Sequence, residues 1–288
     1  FEGASVTSDA NAIVIEAQNL FGPRSCEIHG IKTFNGAKAD DVILKTASVI
    51  INTKSPLASV FDDVIIGKQA ILPEVDDIVY EDRLGTTGWI YRKKILVGTR
   101  DLLIHHGVPV LKEDFEKKYT RKGRKVLYLA EAGKLMAMFV VSYSADPQLK
   151  KALRKLEKSG MTILVRSADP FINDESIAEL FELPDGYIRV MNSSNGRAFE
   201  KYSNLFAQKS PAYIVHNGSA LGLVSAFSAA EDLQETRKLI SVLISFGSAL
   251  GLGVVGLLAF VGGIDQLDAI KVALFQAAWC IFVNLLAK

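Results

Sequence analysis

The stretch Ile13-Val14-Ile15-Glu16-Ala17-Gln18-Asn19-Leu20-Phe21-Gly22 decides how the rest of the chain is read. A run of β-branched residues leads straight into a carboxylate and a polar turn, the pattern of a buried parallel strand that carries Glu16 to its C-terminal end. Open α/β sheets keep their chemistry at that end, so Glu16 is the first candidate catalytic residue. Gly22 and Pro23 break the strand's exit, and Cys26, Ile28 and Ile31 continue as a short segment.

Further along, residues 124 to about 232 repeat the theme. Val126-Leu127-Tyr128-Leu129 and Leu135 to Val141 read as strands across a Glu131-Ala132-Gly133-Lys134 turn. Asp146-Pro147 opens an amphipathic helix with Leu149, Leu153 and Leu156 on one face, closed by Gly160. Thr162 to Val165 is a buried strand ending at Arg166-Ser167-Ala168-Asp169, a helix runs through Ile177 to Phe181, and Ala212 to Val215 is a strand ending at His216-Asn217-Gly218. Strand, polar turn and helix in repetition predict an α/β fold with a doubly wound parallel sheet that includes the Glu16 strand.

On this reading residues 1–32 and 123–232 form one split domain, and 33–122 is an inserted α+β domain. Asp40 to Val49 reads as a helix, a second begins at Pro56 behind a Lys54-Ser55 cap, and Gly85 to Tyr91 and Lys94 to Gly98 are strands around a turn at Arg92-Lys93. Gly85 and Gly88 read from spacing as turn glycines. The basic run Lys117 to Lys125 holds a single aromatic, Tyr119, and no series of them, so it reads as a solvated linker and nucleic acid is not an expected partner.

The C-terminus has a different character. Leu239 to Gly263 holds no charged residue, and Ala269 to Ala287 holds only Lys271. Both are long enough to cross a hydrocarbon core of about 30 Å, which predicts a two-helix transmembrane hairpin over 233–288. Acids alone occupy the link between them, whereas Arg237, Lys238 and Lys288 flank the outer ends. The positive-inside rule then places both ends, and the soluble domains, in the cytoplasm. Gly247, Gly251 and Gly256 are expected to let the helices approach closely, and Lys271 to reach for the interface.

Composition agrees with a partly membrane-embedded protein: 49% of the 288 residues are hydrophobic and the mean hydropathy is +0.21. The formal net charge of +1, from 33 basic and 32 acidic residues, supplies no field for a polyanion. Cys26 and Cys280, far apart, indicate neither a disulfide framework nor a cysteine metal site. Adjacent His105 and His106 are expected on the surface, pointing apart. With neither an initiator Met nor a signal peptide, the chain reads as part of a longer protein.

A split doubly wound domain, an insert and a membrane hairpin, in that order, resemble the C-terminal half of P-type ATPases, specifically the heavy-metal-transporting branch. Pro56-Leu57-Ala58, Gly85 to Gly88 and Lys94 to Leu103 are similar to its nucleotide-binding (N) domain. Gly133-Lys134-Leu135, Asp146-Pro147 and the strand to Val165 are similar to its haloacid-dehalogenase-like phosphorylation (P) domain, and Phe282 to Leu286 to the end of its last membrane helix. The resemblance implies ATP and Mg²⁺ as cofactors, membrane lipid and an N-terminal membrane region as partners, and a multi-pass membrane location.

It also implies site residues, and these depart from the family's pattern. At the phosphorylated motif Asp-Lys-Thr-Gly-Thr this chain has Glu16, Ala17, Gln18, Asn19 and Leu20. Glu16 carries the carboxylate one methylene further out, and misplacing a nucleophile by about 1 Å costs on the order of a hundredfold. Ser167-Ala168-Asp169 stands for the Thr-Gly-Asp loop, keeping Asp169. Asn217, in His216-Asn217-Gly218, replaces a magnesium-holding Asp, and Arg197 stands near the phosphate-sensing Lys. For nucleotide binding, Ser55-Pro56 replaces the His-Pro pair, whereas Gly85, Gly88 and Gly98 persist. The membrane helices offer no ligand set for an ion, Cys280 standing alone, so no metal-ligating residue is assigned. The expectation is a homologue that has lost phosphoenzyme formation and ion transport and works as a regulatory or scaffold pseudo-ATPase with an unknown protein partner; the alternative is an active heavy-metal cation-transporting ATPase with a divergent site.

Overall fold

The computed structural model describes residues 12–22, 25–53, 55–203 and 218–286. The elements up to residue 105 are β1 (Ala12–Glu16), α1 (Ala17–Leu20), β2 (Cys26–Thr33), α2 (Ala39–Asn52), α3 (Ala58–Val64), β3 (Asp76–Glu81), β4 (Gly85–Ile90), β5 (Lys93–Gly98) and α4 (Arg100–His105). There follow α5 (Glu113–Glu116), β6 (Lys125–Glu131), β7 (Lys134–Tyr143), α6 (Pro147–Glu157), β8 (Thr162–Arg166), α7 (Asp174–Phe181), β9 (Ile188–Met191), α8 (Ser193–Ser203), α9 (Ala220–Phe260) and α10 (Ala269–Leu286).

Two sheets organise the soluble part. The first is parallel, in the order β1-β8-β9, with Ile13 beside Ile163, Ile15 beside Val165 and Glu16 beside Arg166. Alternation along β1 buries Ile13 and Ile15, as a strand with one covered face requires. Leu149, Leu153 and Leu156 of α6 and Ile177, Ala178 and Phe181 of α7 are buried with them. Asp146 caps α6 by accepting from Gln148 N and Leu149 N, with Pro147 in the first turn, so this helix starts where the sequence says it should. The β9 strand has no counterpart in the sequence reading. The expected strand Ala212 to Val215 lies outside the described residues.

The second sheet is antiparallel, in the order β2-β7-β6-β5-β4-β3. Here the structure corrects the sequence reading, which gave the strands at 126–129 and 135–141 to the parallel sheet. Glu131 pairs with Lys134 across a two-residue loop, Ala132-Gly133, whose φ angles are 48° and 77°. Such a loop closes an antiparallel hairpin, and a parallel pair needs a crossover of a dozen residues or more. β2 joins the same sheet beside β7, so the antiparallel layer runs from Cys26 to Tyr143. The β4–β5 turn falls on Tyr91 and Arg92, at φ 50° and 61°, one residue earlier than expected.

A buried charge network pins α2 to this sheet. Lys45 Nζ donates to Glu131 Oε2 and Asp41 Oδ2, each at 2.7 Å, and Lys93 Nζ lies 3.0 Å from Glu131 Oε1. Burial works to raise the Glu131 carboxyl's pKa, but the two ammonium groups outweigh it and hold the carboxyl below its usual range. Burial likewise opposes the Lys45 charge, and the two carboxylates overcome it and raise its pKa.

The C-terminal helices form their own unit, and α9 and α10 are both long and apolar enough to cross a membrane. A Cβ at Gly247 would collide with the Trp279 ring, whose Nε1 donates to Leu243 O at 3.0 Å, and a Cβ at Gly251 would sit 3.4 Å from Phe275. Those two glycines allow the helices to close, as expected. Gly256 has no neighbour within 4 Å of its would-be Cβ, so close packing does not explain it.

Candidate functional site

Glu16 closes β1 and is half-buried, and its Oε1 lies 2.9 Å from Arg166 Nη1 at the end of β8. Parallel register produces this pairing, because the two residues are direct neighbours at the C-terminal ends of adjacent strands. Arg166 also faces α8, with Nη2 3.6 Å from Glu200 and its guanidinium 5.6 Å from the Phe199 ring. The Glu16 carboxylate thus meets a cation from its own sheet, and the next residue, Ala17, is fully buried and supplies no charge.

Asp169 sits in the loop after β8 and is only 1% exposed. Its Oδ2 accepts from Ser55 Oγ at 2.6 Å and from Tyr143 OH at 2.8 Å, and its Oδ1 accepts from Phe171 N at 3.0 Å. Burial pushes the Asp169 carboxyl up despite these donors. It raises the Tyr143 phenol well above its ordinary value too, the nearby Asp169 charge adding to the effect, and takes Tyr80 up to about 12. The Cys26 thiol is raised by the same burial and the same carboxylate. Both carboxylate oxygens are engaged, and Ser55 and Tyr143 form a lid on the Oδ2 side.

Ser55 is therefore placed against Asp169, where its Oγ also accepts from Leu57 N at 3.2 Å. Gly85, Gly88 and Gly98 have packing reasons. Gly85 has φ +146° and faces Gly98 across β4 and β5, and a Cβ on Gly85 would strike Val97 O, one on Gly98 Leu84 O. A Cβ on Gly88 would lie 2.8 Å from Val75 Cγ1, so the space its missing side chain leaves is filled by the chain itself. Arg197 is exposed on α8. His216 and Asn217 lie outside the described residues.

His106 corrects the expectation of a surface residue. It is partly buried, with Nε2 2.6 Å from Glu81 Oε1 and Nδ1 3.1 Å from Lys94 Nζ, while His105 is exposed. Among the described residues no group of three or more His, Cys, Asp or Glu gathers as a metal site. Among the described residues Glu16 is held by Arg166, and Asp169 by Ser55, Tyr143 and Phe171; Asn217, the further position expected to bear on a Mg²⁺–nucleotide group, lies outside them.

Sequence reasoning missed Arg166, Tyr143 and Asp82. Arg166 had a legible signal: it ends a buried strand just as Glu16 does, and opposite charges at matching ends of adjacent parallel strands meet. Asp82, in the β3–β4 turn, accepts from Ser193 N at 2.8 Å and from Ser193 Oγ at 3.0 Å, at the start of α8. Nothing local announces that contact.

These sheets, the carboxylate at the end of β1 and the apolar hairpin define an α/β protein with an antiparallel insert and a C-terminal pair of membrane-length helices. No family's sequence profile matches the chain. Copper-transporting ATPase 2 of Rhizobium meliloti (strain 1021) is 22% identical over 194 residues, 67% of this chain and 24% of that protein. The chain thus spans about a quarter of the length of that curated relative. Among solved structures, a zinc-transporting PIB-type ATPase in its E2.Pi state shares 11% identity at a TM-score of 0.44, covering 99% of this chain and 50% of that one. The catalytic domain of the CPx-ATPase CopB-B shares 17% at 0.39, covering 70% and 69%. The chain resembles the heavy-metal branch of the P-type ATPases.

Proposed function

We propose that this is a heavy-metal P-type ATPase-like membrane protein that forms no phosphoenzyme and moves no ion, and that serves as a regulatory or scaffold pseudo-ATPase. One observation carries the reading. Asp169, the carboxylate that survives from the family's Thr-Gly-Asp loop, is sealed at 1% exposure with its oxygens taken by Ser55, Tyr143 and Phe171. Glu16 supports it, being longer than the family's aspartate, engaged by Arg166 and followed by Ala17 instead of Lys. On this reading the parallel sheet is the phosphorylation-type domain, the antiparallel sheet the nucleotide-binding type, and Glu16 a fixed negative charge in place of a phosphoaspartate. The soluble part lies in the cytoplasm, the hairpin sits among further membrane helices, and the partner is another protein.

A second reading, an active cation pump with a divergent site, is favoured by the similarity to a copper-transporting ATPase. Flux measurements in proteoliposomes on the longer protein, with the N-terminal membrane region that the resemblance implies, separate the two. The proposal expects no ATP-driven copper or zinc uptake above that of protein-free vesicles. Uptake that disappears in Glu16→Ala establishes the pump instead.

A further inference from the structure

The two sheets are joined by adjacent chain connections, one leaving β1 through Gly22 and Ser25, the other leaving β7 through Ser144 and Ala145. Ser144 N donates to Ser25 O at 2.6 Å, which ties these connections into one hinge. Both attach to β2 and β7, which lie together at one edge of the antiparallel sheet. A sheet fastened at one edge only swings about that edge.

This sheet is fastened elsewhere as well. Near the hinge, Tyr143 donates to Asp169, and Ser55, in the loop between α2 and α3, donates to the same oxygen. At the opposite edge, the turn after β3 carries Asp82, whose carboxylate receives both the amide and the hydroxyl of Ser193 at the start of α8. α8 is in turn drawn to the end of β8 by Arg166, which touches Glu200 and Phe199. The contacts sit at both edges, and each uses side chains of this protein alone.

We propose that Asp82–Ser193 and Ser55–Asp169–Tyr143 form a two-point clasp that holds the antiparallel sheet closed against the parallel sheet without any bound nucleotide. The clasp is a conformational device in its own right, and it does not require that Glu16 be inactive: it concerns where the sheets sit, not what they catalyse. Its consequence is that the arrangement of the two sheets is held by this chain's own side chains. A ligand with no differential affinity for open and closed forms shifts nothing.

The test uses the full chain in detergent with Cys280→Ser, leaving the buried Cys26 in place. Spin labels at Tyr91→Cys, an exposed turn of the antiparallel sheet, and Glu175→Cys, exposed on α7, report the distance between the sheets. The clasp predicts one narrow distance distribution, the same with and without ATP and Mg²⁺. Asp82→Ala, on a surface turn, and Asp82→Ala with Ser55→Ala are expected to broaden it and lengthen its mean, the double variant more than the single. The Ser193 amide, which loses its acceptor, is expected to exchange with solvent about tenfold faster in Asp82→Ala. A broad parent distribution, one that narrows only on adding ATP, or one unmoved by the single variant while circular dichroism shows it folded, overturns the proposal.

Discussion

The Glu16 carboxylate and the Arg166 guanidinium meet at 2.9 Å as direct neighbours at the C-terminal ends of β1 and β8. The relation follows from parallel register alone, and it places a cation against the carboxylate that ends β1. The pair is partly solvent-exposed, so its worth to stability is small, about 1 kcal/mol or less. Arg166→Gln and Glu16→Gln are each expected to lower stability by no more than that in urea titrations, with a coupling of similar size in the double-mutant cycle. If Glu16 acts as a fixed charge, Glu16→Gln alters the distance between the sheets; identical sheet packing in that variant contradicts the role.

Asp169 gives a pH signature. Its folded carboxyl is raised by burial, above the unfolded value of about 3.9, so the folded form holds its proton longer than the unfolded one. The resulting stability is present below the unfolded pKa and is lost as pH rises through the folded pKa. Tyr143, Tyr80 and Cys26, the titratable groups its charge acts on, are held neutral by their raised pKa values and form no cation in either protonation state, so none compensates the Asp169 charge. Melting temperatures of Asp169→Asn minus the parent are expected to grow more positive as pH rises across that window, and a flat difference contradicts the assignment.

Glu131 has the opposite sign. Lys45 and Lys93 hold its folded carboxyl below the usual range, so its contribution is present above the unfolded pKa of about 4.3 and is lost as pH falls through the folded value. Glu131→Gln leaves the buried Lys45 with Asp41 as its only hydrogen-bonded carboxylate and is expected to cost about 3 kcal/mol. Chemical denaturation at neutral pH checks the magnitude, and a loss below about 1 kcal/mol places the network at the surface.

Gly98 distinguishes packing from ligand binding. A Cβ there would collide with Leu84 O and Leu102, so Gly98→Ala is expected to destabilise by about 1–3 kcal/mol through overpacking. If the glycine is kept for the fold, ATP has no effect on the melting temperature of parent or variant. A parent stabilised by ATP, with the gain absent from Gly98→Ala, assigns the glycine to a nucleotide site.

Much of the architecture was legible because it is encoded locally. The β-branched run before Glu16, the Asp146-Pro147 helix start and the uncharged stretch from Leu239 each carry their own periodicity or boundary signal. The strands at 126–129 and 135–141 were legible as strands but not by partner, because the two-residue turn that makes them an antiparallel hairpin outweighs the alternation around it. β9 is four residues long with Arg189 inside it, too short to show a period. The lid over Asp169 was illegible for another reason: Ser55 and Tyr143 lie 114 and 26 residues from it, and only the assembled sheets bring them together.

Phosphoenzyme formation tests the central claim most directly. Purified full chain is incubated with γ-labelled ATP and Mg²⁺, quenched in acid and examined for protein-bound label. The account predicts no label above that of Glu16→Ala. An acid-stable, hydroxylamine-sensitive phosphoprotein that vanishes in Glu16→Ala would contradict it.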